Sequence, residues 1–308
     1  MELLERLLKG EKTACARLIS LIENESLGYV DILKELNKHI KGGYIIGITG
    51  PPGAGKSTLT DKIIKNLRKQ NKKVGVIAID PTSPFTKGAI LGDRIRMVDL
   101  SVDKDVFIRS MGTRGHLGGL SRATQGAIKV LDVYGCDYII VETVGVGQSE
   151  VDIVKTADTV VMVMVPGLGD DIQAIKAGVL EIGDVFVVNK SDKDGAKRTF
   201  RETEIMLDFK KDWKFRPLVS MAIGETGEGI DELVNNIQLH RGYLEESKEI
   251  LSKKMERNMT EIKAIVHDNI EKKISKLISE EEMTKILLDT INREIDPYTV
   301  AEKILAKI

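Results

Sequence analysis

The sequence predicts an α/β protein: a doubly wound, mostly parallel sheet flanked by N-terminal and C-terminal helical segments. Three observations predict it. Between residues 42 and 240, apolar runs alternate with amphipathic stretches. Several of those runs are continuously apolar, as parallel strands covered on both faces must be. Near the start of the region a strand-like run meets a glycine-rich loop and then a helix-like stretch, the context of a phosphate-binding motif.

In chain order, residues 1–41 carry Leu3, Leu4, Leu7 and Leu8, then Leu18, Ile19 and Ile22, at helical spacing. Gly10 and the stretch 24–28 divide them, so the segment reads as a lead-in of short helices rather than a separate domain. The main domain is expected over 42–242, with strands at 44–49, 74–79, 106–109, 137–142, 159–165, 185–189 and 216–220. Residues 243–308 read as wholly helical. Met259, Ile262, Val266, Ile270, Ile274 and Leu277 form one apolar stripe. Ser279 with Glu282 resembles a capping box, and Asp296-Pro297 supplies an N-cap and an N1 proline. This extension has a seam but few residues for a core of its own. It packs either on the α/β domain or on a second copy, and the stripe satisfies both.

Composition narrows the class. Of 308 residues, 42% are hydrophobic, enough for a normal core. The 46 basic and 47 acidic residues leave a net charge of −1, so no global field favours nucleic acid or an anionic membrane. Cys15 and Cys136 are far apart and lack metal-ligand spacing, which argues for reduced thiols. The charged N-terminus is unlike a signal peptide, and the strongest apolar stretch, 160–165, is too short to span a membrane. A cytoplasmic protein is the expectation.

Gly50-Pro51-Pro52-Gly53-Ala54-Gly55-Lys56-Ser57 fits G-x-x-x-x-G-K-[ST]. It follows the apolar run 44–48 and precedes Thr58, Leu59, Ile63, Ile64 and Leu67. The glycines let backbone N–H groups close around phosphates, and the helix N-terminus adds positive potential. Lys56 is expected on the β- and γ-phosphates and Ser57 on Mg²⁺, as in P-loop NTPases. Asn189-Lys190-Ser191-Asp192, directly after an apolar run, matches the N-K-x-D guanine motif. The Asp192 carboxylate can accept from guanine N1–H and its exocyclic amine, which adenine lacks.

Glu142-Thr143-Val144-Gly145 follows another strand-like run. An acid and then x-x-Gly at this point belongs to GTPases; the acid contacts the Mg²⁺ shell and the Gly145 N–H senses the γ-phosphate. Here the acid is Glu, where Asp is commoner. Gln148 either orients water or sits on the surface. Asp80, at the end of a strand, is expected on Mg²⁺ through water. Asp93 is a second metal candidate, or a helix cap or surface ion pair. The glycine-rich, basic loop 109–119 reads either as a segment near phosphates or a partner, or as a merely flexible loop. His116 within it has no companion ligands. No nucleophilic triad or paired-carboxylate site emerges, so attack of water on the γ-phosphate of GTP is the reaction that fits.

Taken with DPTSPFTKGAILGDRIRM, FIRSMGTRGHLGGLS, ETVGVGQSEVDI and PGLGDDIQAIKAG, these motifs closely resemble the MeaB/ArgK family of P-loop GTPases. The resemblance runs along the whole chain and is densest over 44–192. It implies a chaperone of an adenosylcobalamin-dependent acyl-CoA mutase, methylmalonyl-CoA mutase or a relative. Such a protein uses GTP to gate cofactor loading and to protect or reactivate the mutase. It also implies a homodimer joined with help from the C-terminal helices. By position, Lys56 and Ser57 are the phosphate-loop lysine and metal ligand. Asp80, Asp93 and Glu142 are metal-shell acids, and Asn189, Lys190 and Asp192 form the guanine motif. Segment 166–178 matches a loop coupling nucleotide to mutase, with Lys176 the coupling lysine. Ser220-Met221-Ala222 falls on the last guanine loop, although the following glycines are spaced more widely than usual. No cobalamin site is identified in the chain.

Other classes predict features that differ. A nickel metallochaperone GTPase predicts a His- or Cys-rich cluster, against four scattered His and two separated Cys. A signal-sequence targeting GTPase predicts a Met-rich groove, and a kinase a substrate-activating base. A nucleotide-gated binding module with negligible hydrolysis is distinguished from a GTPase only by phosphate release.

Overall fold

The computed structural model describes residues 2–80, 98–112, 122–143, 145, 149–167 and 182–306. It divides into two compact units, Met1–Lys253 and Lys254–Ile308.

The first unit holds a seven-stranded, wholly parallel sheet. Its strands are β1 (Tyr44–Thr49), β2 (Val74–Asp80), β3 (Val106–Gly112), β4 (Tyr138–Glu142), β5 (Thr159–Met164), β6 (Val185–Val188) and β7 (Leu218–Met221). Their order across the sheet is β3-β2-β4-β1-β5-β6-β7. The doubly wound P-loop NTPase class is therefore the observed fold. Strand alternation sorts the core into two layers. Ile45, Ile77, Phe107, Ile139, Val141 and Val160 face one side. Ile46, Ile48, Val76, Ile140, Val161, Val163 and Val187 face the other.

The first layer is covered by α1 (Glu2–Leu8), α2 (Lys12–Glu23), α3 (Tyr29–Asn37), α6 (Arg122–Tyr134) and α7 (Ser149–Thr156). The second is covered by α4 (Lys56–Lys69), through Leu59, Ile63, Ile64 and Leu67, and by α9 (Ile230–Glu246). The short helix α5 (Val98–Ser101) precedes β3, and α8 (Ala196–Phe209) packs on β6 and β7. The lead-in helices belong to this core: Leu7, Leu18, Ile19 and Leu36 are fully or almost fully buried. A Cβ at Gly126 of α6 would stand 2.5 Å from Ile22 Cγ2, so the glycine lets α2 approach.

Carboxylates cap the N-terminal edge of the sheet. Asp132 accepts from Gly42 and Gly43 N, Asp158 from Ile45 N at 2.8 Å, Asp137 from Lys73 N at 2.7 Å and Asp184 from Val160 N at 2.9 Å. Strand starts leave such N–H groups unpaired, and an ionised acceptor satisfies them strongly. Beside them, Tyr44 OH, Thr159 Oγ1 and His240 Nδ1 form a buried hydrogen-bonded row, with Asp184 3.5 Å from His240 Nε2. Burial lowers the His240 pKa to about 4, with the Asp184 carboxylate opposing the shift. Both cysteines are free and buried, and burial pushes the Cys136 thiol up to about 12.

The second unit contains most of α10 (Glu249–Leu277) with α11 (Glu280–Ile291) and α12 (Pro297–Leu305). Ser279 Oγ accepts from Glu282 N at 3.1 Å and Asp296 Oδ1 from Thr299 N at 3.0 Å, the two caps expected from the sequence. Met255, Met259, Ile262 and Val266 are exposed along α10, as are Leu287, Leu288 and Ile291 on α11. No described helix is long and apolar enough to cross a membrane.

Candidate functional site

Register brings the strand ends together at the C-terminal edge. Glu142 closes β4 opposite Ile48 of β1 and Ala78 of β2, and Val188 closes β6 opposite Met164 and Met221. The helix after β1, α4, lies on one face and the helix after β4, α7, on the other, so a crevice opens above β1.

The phosphate loop rises from β1 into that crevice. Lys56, almost fully buried, donates from Nζ to the carbonyls of Gly50 (2.8 Å) and Pro51 (3.0 Å), closing the loop on itself. Gly55 precedes α4 with a φ of +83°, and a Cβ there would stand 2.5 Å from Asn189 Nδ2. Only glycine meets both demands. The first turn of α4 presents its backbone N–H groups at the loop, a natural anion site.

Beside the loop, Ser57 Oγ donates to Glu142 Oε1 at 2.6 Å, both side chains being buried. A hydroxyl and a carboxylate are hard oxygen donors of the kind Mg²⁺ takes, so this pair fits the ion that the fold implies. Thr60 Oγ1 reaches the second carboxylate oxygen at 2.8 Å. Gly145, at φ +86°, packs its backbone against the loop: a Cβ would stand 1.9 Å from Gly50 O and 2.6 Å from Lys56 Nζ. Asp80 ends β2, paired with Gly112. Its side chain, and residues Asp93, Gln148 and Lys176, lie outside the described residues, as do segments 113–121 and 168–181.

The N-K-x-D segment is tied to the phosphate loop. Asn189 Nδ2 donates to Ala54 O at 2.7 Å, and Asn189 Oδ1 accepts from Gly224 N at 2.9 Å. Lys190 adopts a left-handed φ of +57° and donates from Nζ to Gly53 O at 2.7 Å. Asp192 is exposed beyond them. The last loop joins through Ala222, whose N–H donates to Val188 O (2.9 Å) and whose carbonyl accepts from Ser191 N (3.1 Å). Ser220 and Met221 lie within β7, the Ser220 hydroxyl 3.4 Å from Phe186 O. Thr58 faces Gly224, with Cγ2 3.4 Å from where a Cβ would lie. Among the described residues no group of three or more His, Cys, Asp or Glu is placed to hold a metal ion.

A family model described as methylmalonyl-CoA mutase-associated GTPase MeaB matches residues 15–279. The chain belongs to the MeaB family of GTPases. Within the family's reach, a Pyrococcus horikoshii protein assigned provisionally as a GTPase is 53% identical over all of this chain and 98% of its own length. A mouse mitochondrial protein named as the methylmalonic aciduria type A homolog is 32% identical over 86% of this chain and 68% of its own. The crystal structure of an LAO/AO transport system kinase superposes with a TM-score of 0.74, covering 99% of this chain and 96% of that one. At 24% identity it shows the fold alone.

Two features of this MeaB-family site escaped the sequence reading. Asn189 links the base loop to the phosphate loop, which needs two residues 135 positions apart to meet. Thr60 also reaches Glu142. Its only sequence signal is its place three residues after Ser57, one turn along the same helix face.

Proposed function

We propose that the chain hydrolyses GTP with Mg²⁺ and thereby gates an adenosylcobalamin-dependent acyl-CoA mutase. The observation that carries the GTP reading is the double tether of Asn189 to Ala54 O and Gly224 N. It ties the loop bearing Asp192 to the phosphate loop, which supports one nucleotide spanning both. In this reading the backbone N–H groups of 50–57 and the Lys56 ammonium hold the phosphates, and Asp192 accepts from guanine. Ser57 and Glu142 would hold Mg²⁺, which would supply neutralisation of the phosphate charge. The Gly145 N–H reports the γ-phosphate to α7, and Gln148 is assigned to the attacking water. The residues contribute position and electrostatics, with no covalent nucleophile.

The mutase client is supported by the name of the matching family and by that of the mouse relative. A homodimer is supported by the exposed apolar stripe of α10 and α11. Lys176 is assigned to coupling and the protein to the cytoplasm. Steady-state GTP hydrolysis, alone and with an adenosylcobalamin-dependent acyl-CoA mutase, tests the reading, with ATP and Lys56→Ala as controls. GTP-selective turnover stimulated by the mutase is expected. Indifference to the mutase would remove the client, and preference for ATP would remove the guanine assignment.

A further inference from the structure

Two hydroxyls of α4 hold the Glu142 carboxylate. Ser57 Oγ donates to Oε1 at 2.6 Å, and Thr60 Oγ1 lies 2.8 Å from Oε2. Ser57 and Thr60 are three residues apart and share one helix face. All three side chains are buried, Thr60 completely. The Thr60 hydroxyl has one proton and a second acceptor, Lys56 O, at 2.9 Å. An ionised carboxylate is the stronger acceptor of the two.

We propose that Thr60 is a positioning residue: it anchors Oε2 of Glu142 so that Oε1 stays beside Ser57, where the divalent cation binds. The inference rests on the Mg²⁺–GTP reading above and assigns a role to a residue outside its ligand set. Its physical basis is freedom of rotation. A glutamate carboxylate sits at the end of three rotatable bonds and holds a fixed aim only if its second oxygen is tied. The extra methylene of Glu over Asp also gains a purpose. It carries the carboxylate to both hydroxyls of α4, and Glu142→Asp tests whether that reach is required.

The test titrates GDP binding against Mg²⁺ and repeats it in EDTA, for wild type, Thr60→Val, Thr60→Ser, Glu142→Asp and the double variant Glu142→Asp/Thr60→Val. Partners of metal ligands typically carry about 10- to 100-fold in metal affinity. Thr60→Val is therefore expected to raise the half-saturating Mg²⁺ concentration by that factor. GDP affinity in EDTA should stay within about twofold, Thr60→Ser should restore the wild-type Mg²⁺ requirement, and Thr60→Val should add less than about twofold to Glu142→Asp. Thr60→Val with an unchanged Mg²⁺ requirement would overturn the proposal. Equal losses with and without Mg²⁺ would do so too, by marking Thr60 as structural. Should Thr60→Val not fold, the Mg²⁺ requirement of Thr60→Ala decides by the same criteria. A wild-type protein that does not bind GDP would sink the nucleotide reading itself, whereas GDP binding that ignores Mg²⁺ would remove the metal role of Ser57 and Glu142 and with it this proposal; either is seen before any variant is made.

Discussion

Replacing Asn189 by alanine separates folding from nucleotide reading. The side chain makes two buried hydrogen bonds, to Ala54 O at 2.7 Å and from Gly224 N at 2.9 Å, and is itself 2% exposed. Truncation strips both partners, which are also buried. Each buried group left unsatisfied costs about 1–3 kcal/mol, so the pair sums to roughly 2–6 kcal/mol. Water entering the vacated space satisfies part of this, which places the expected loss near 3 kcal/mol. That is a large share of the about 5–15 kcal/mol by which domains are stable. The sole tryptophan, Trp213, donates to Leu207 O at 2.9 Å within the first unit, so its fluorescence follows that unit's unfolding in urea. The control is Asp192→Ala. The Asp192 carboxylate has no hydrogen-bond or ion-pair partner among the described residues and is exposed. Its removal should change stability by no more than about 0.5 kcal/mol yet reduce the preference for GTP over ATP by about two orders of magnitude or more. Equal stability for the two variants would refute the claim that Asn189 tethers the loops.

Two further outcomes follow from the geometry. Gly145→Ala places a Cβ 1.9 Å from Gly50 O at a φ of +86°, which forces the loops apart. Single-turnover hydrolysis should fall about 100-fold or more while GDP binding falls far less, and unchanged turnover would contradict the close approach. His240, whose pKa burial lowers from 6.5 to about 4, remains neutral in the folded protein while the unfolded chain takes up a proton. Stability should therefore decline as pH falls below 6.5 and level off near 4, by on the order of 3 kcal/mol. Urea melts of wild type and His240→Gln at pH 7, 5.5 and 4.5 should show a shallower decline in the variant.

Local signals were the legible ones. Apolar runs located six of the seven strands to within about two residues, because a strand buried on both faces must be apolar along its length. β3 runs three residues past the expected 106–109, through Arg109 and Ser110, which the sequence assigned to the start of a loop because the apolar signal stops there. The caps at Ser279 and Asp296 were legible for the same reason, since donor and acceptor lie three residues apart. The phosphate loop carries its chemistry in consecutive residues. Side chains that act across the fold were not legible. Asp132, Asp137, Asp158 and Asp184 look like surface acids in a chain with 47 of them, yet each closes a strand start. Thr60 looked like an ordinary helix residue until β4 brought Glu142 to it from 82 positions away.

The row of aspartates has a consequence for how this architecture tolerates change. The starts of β1, β2 and β5 are stapled by carboxylates at one edge, while the segments leaving the opposite edge begin beyond a completed ladder. Apart from the phosphate loop and the Asn189 loop, which are tied to each other, segments on that edge can therefore be lengthened or shortened without unpairing a strand. A lineage can rewrite those connections while the stapled edge passes unaltered from ancestor to descendant.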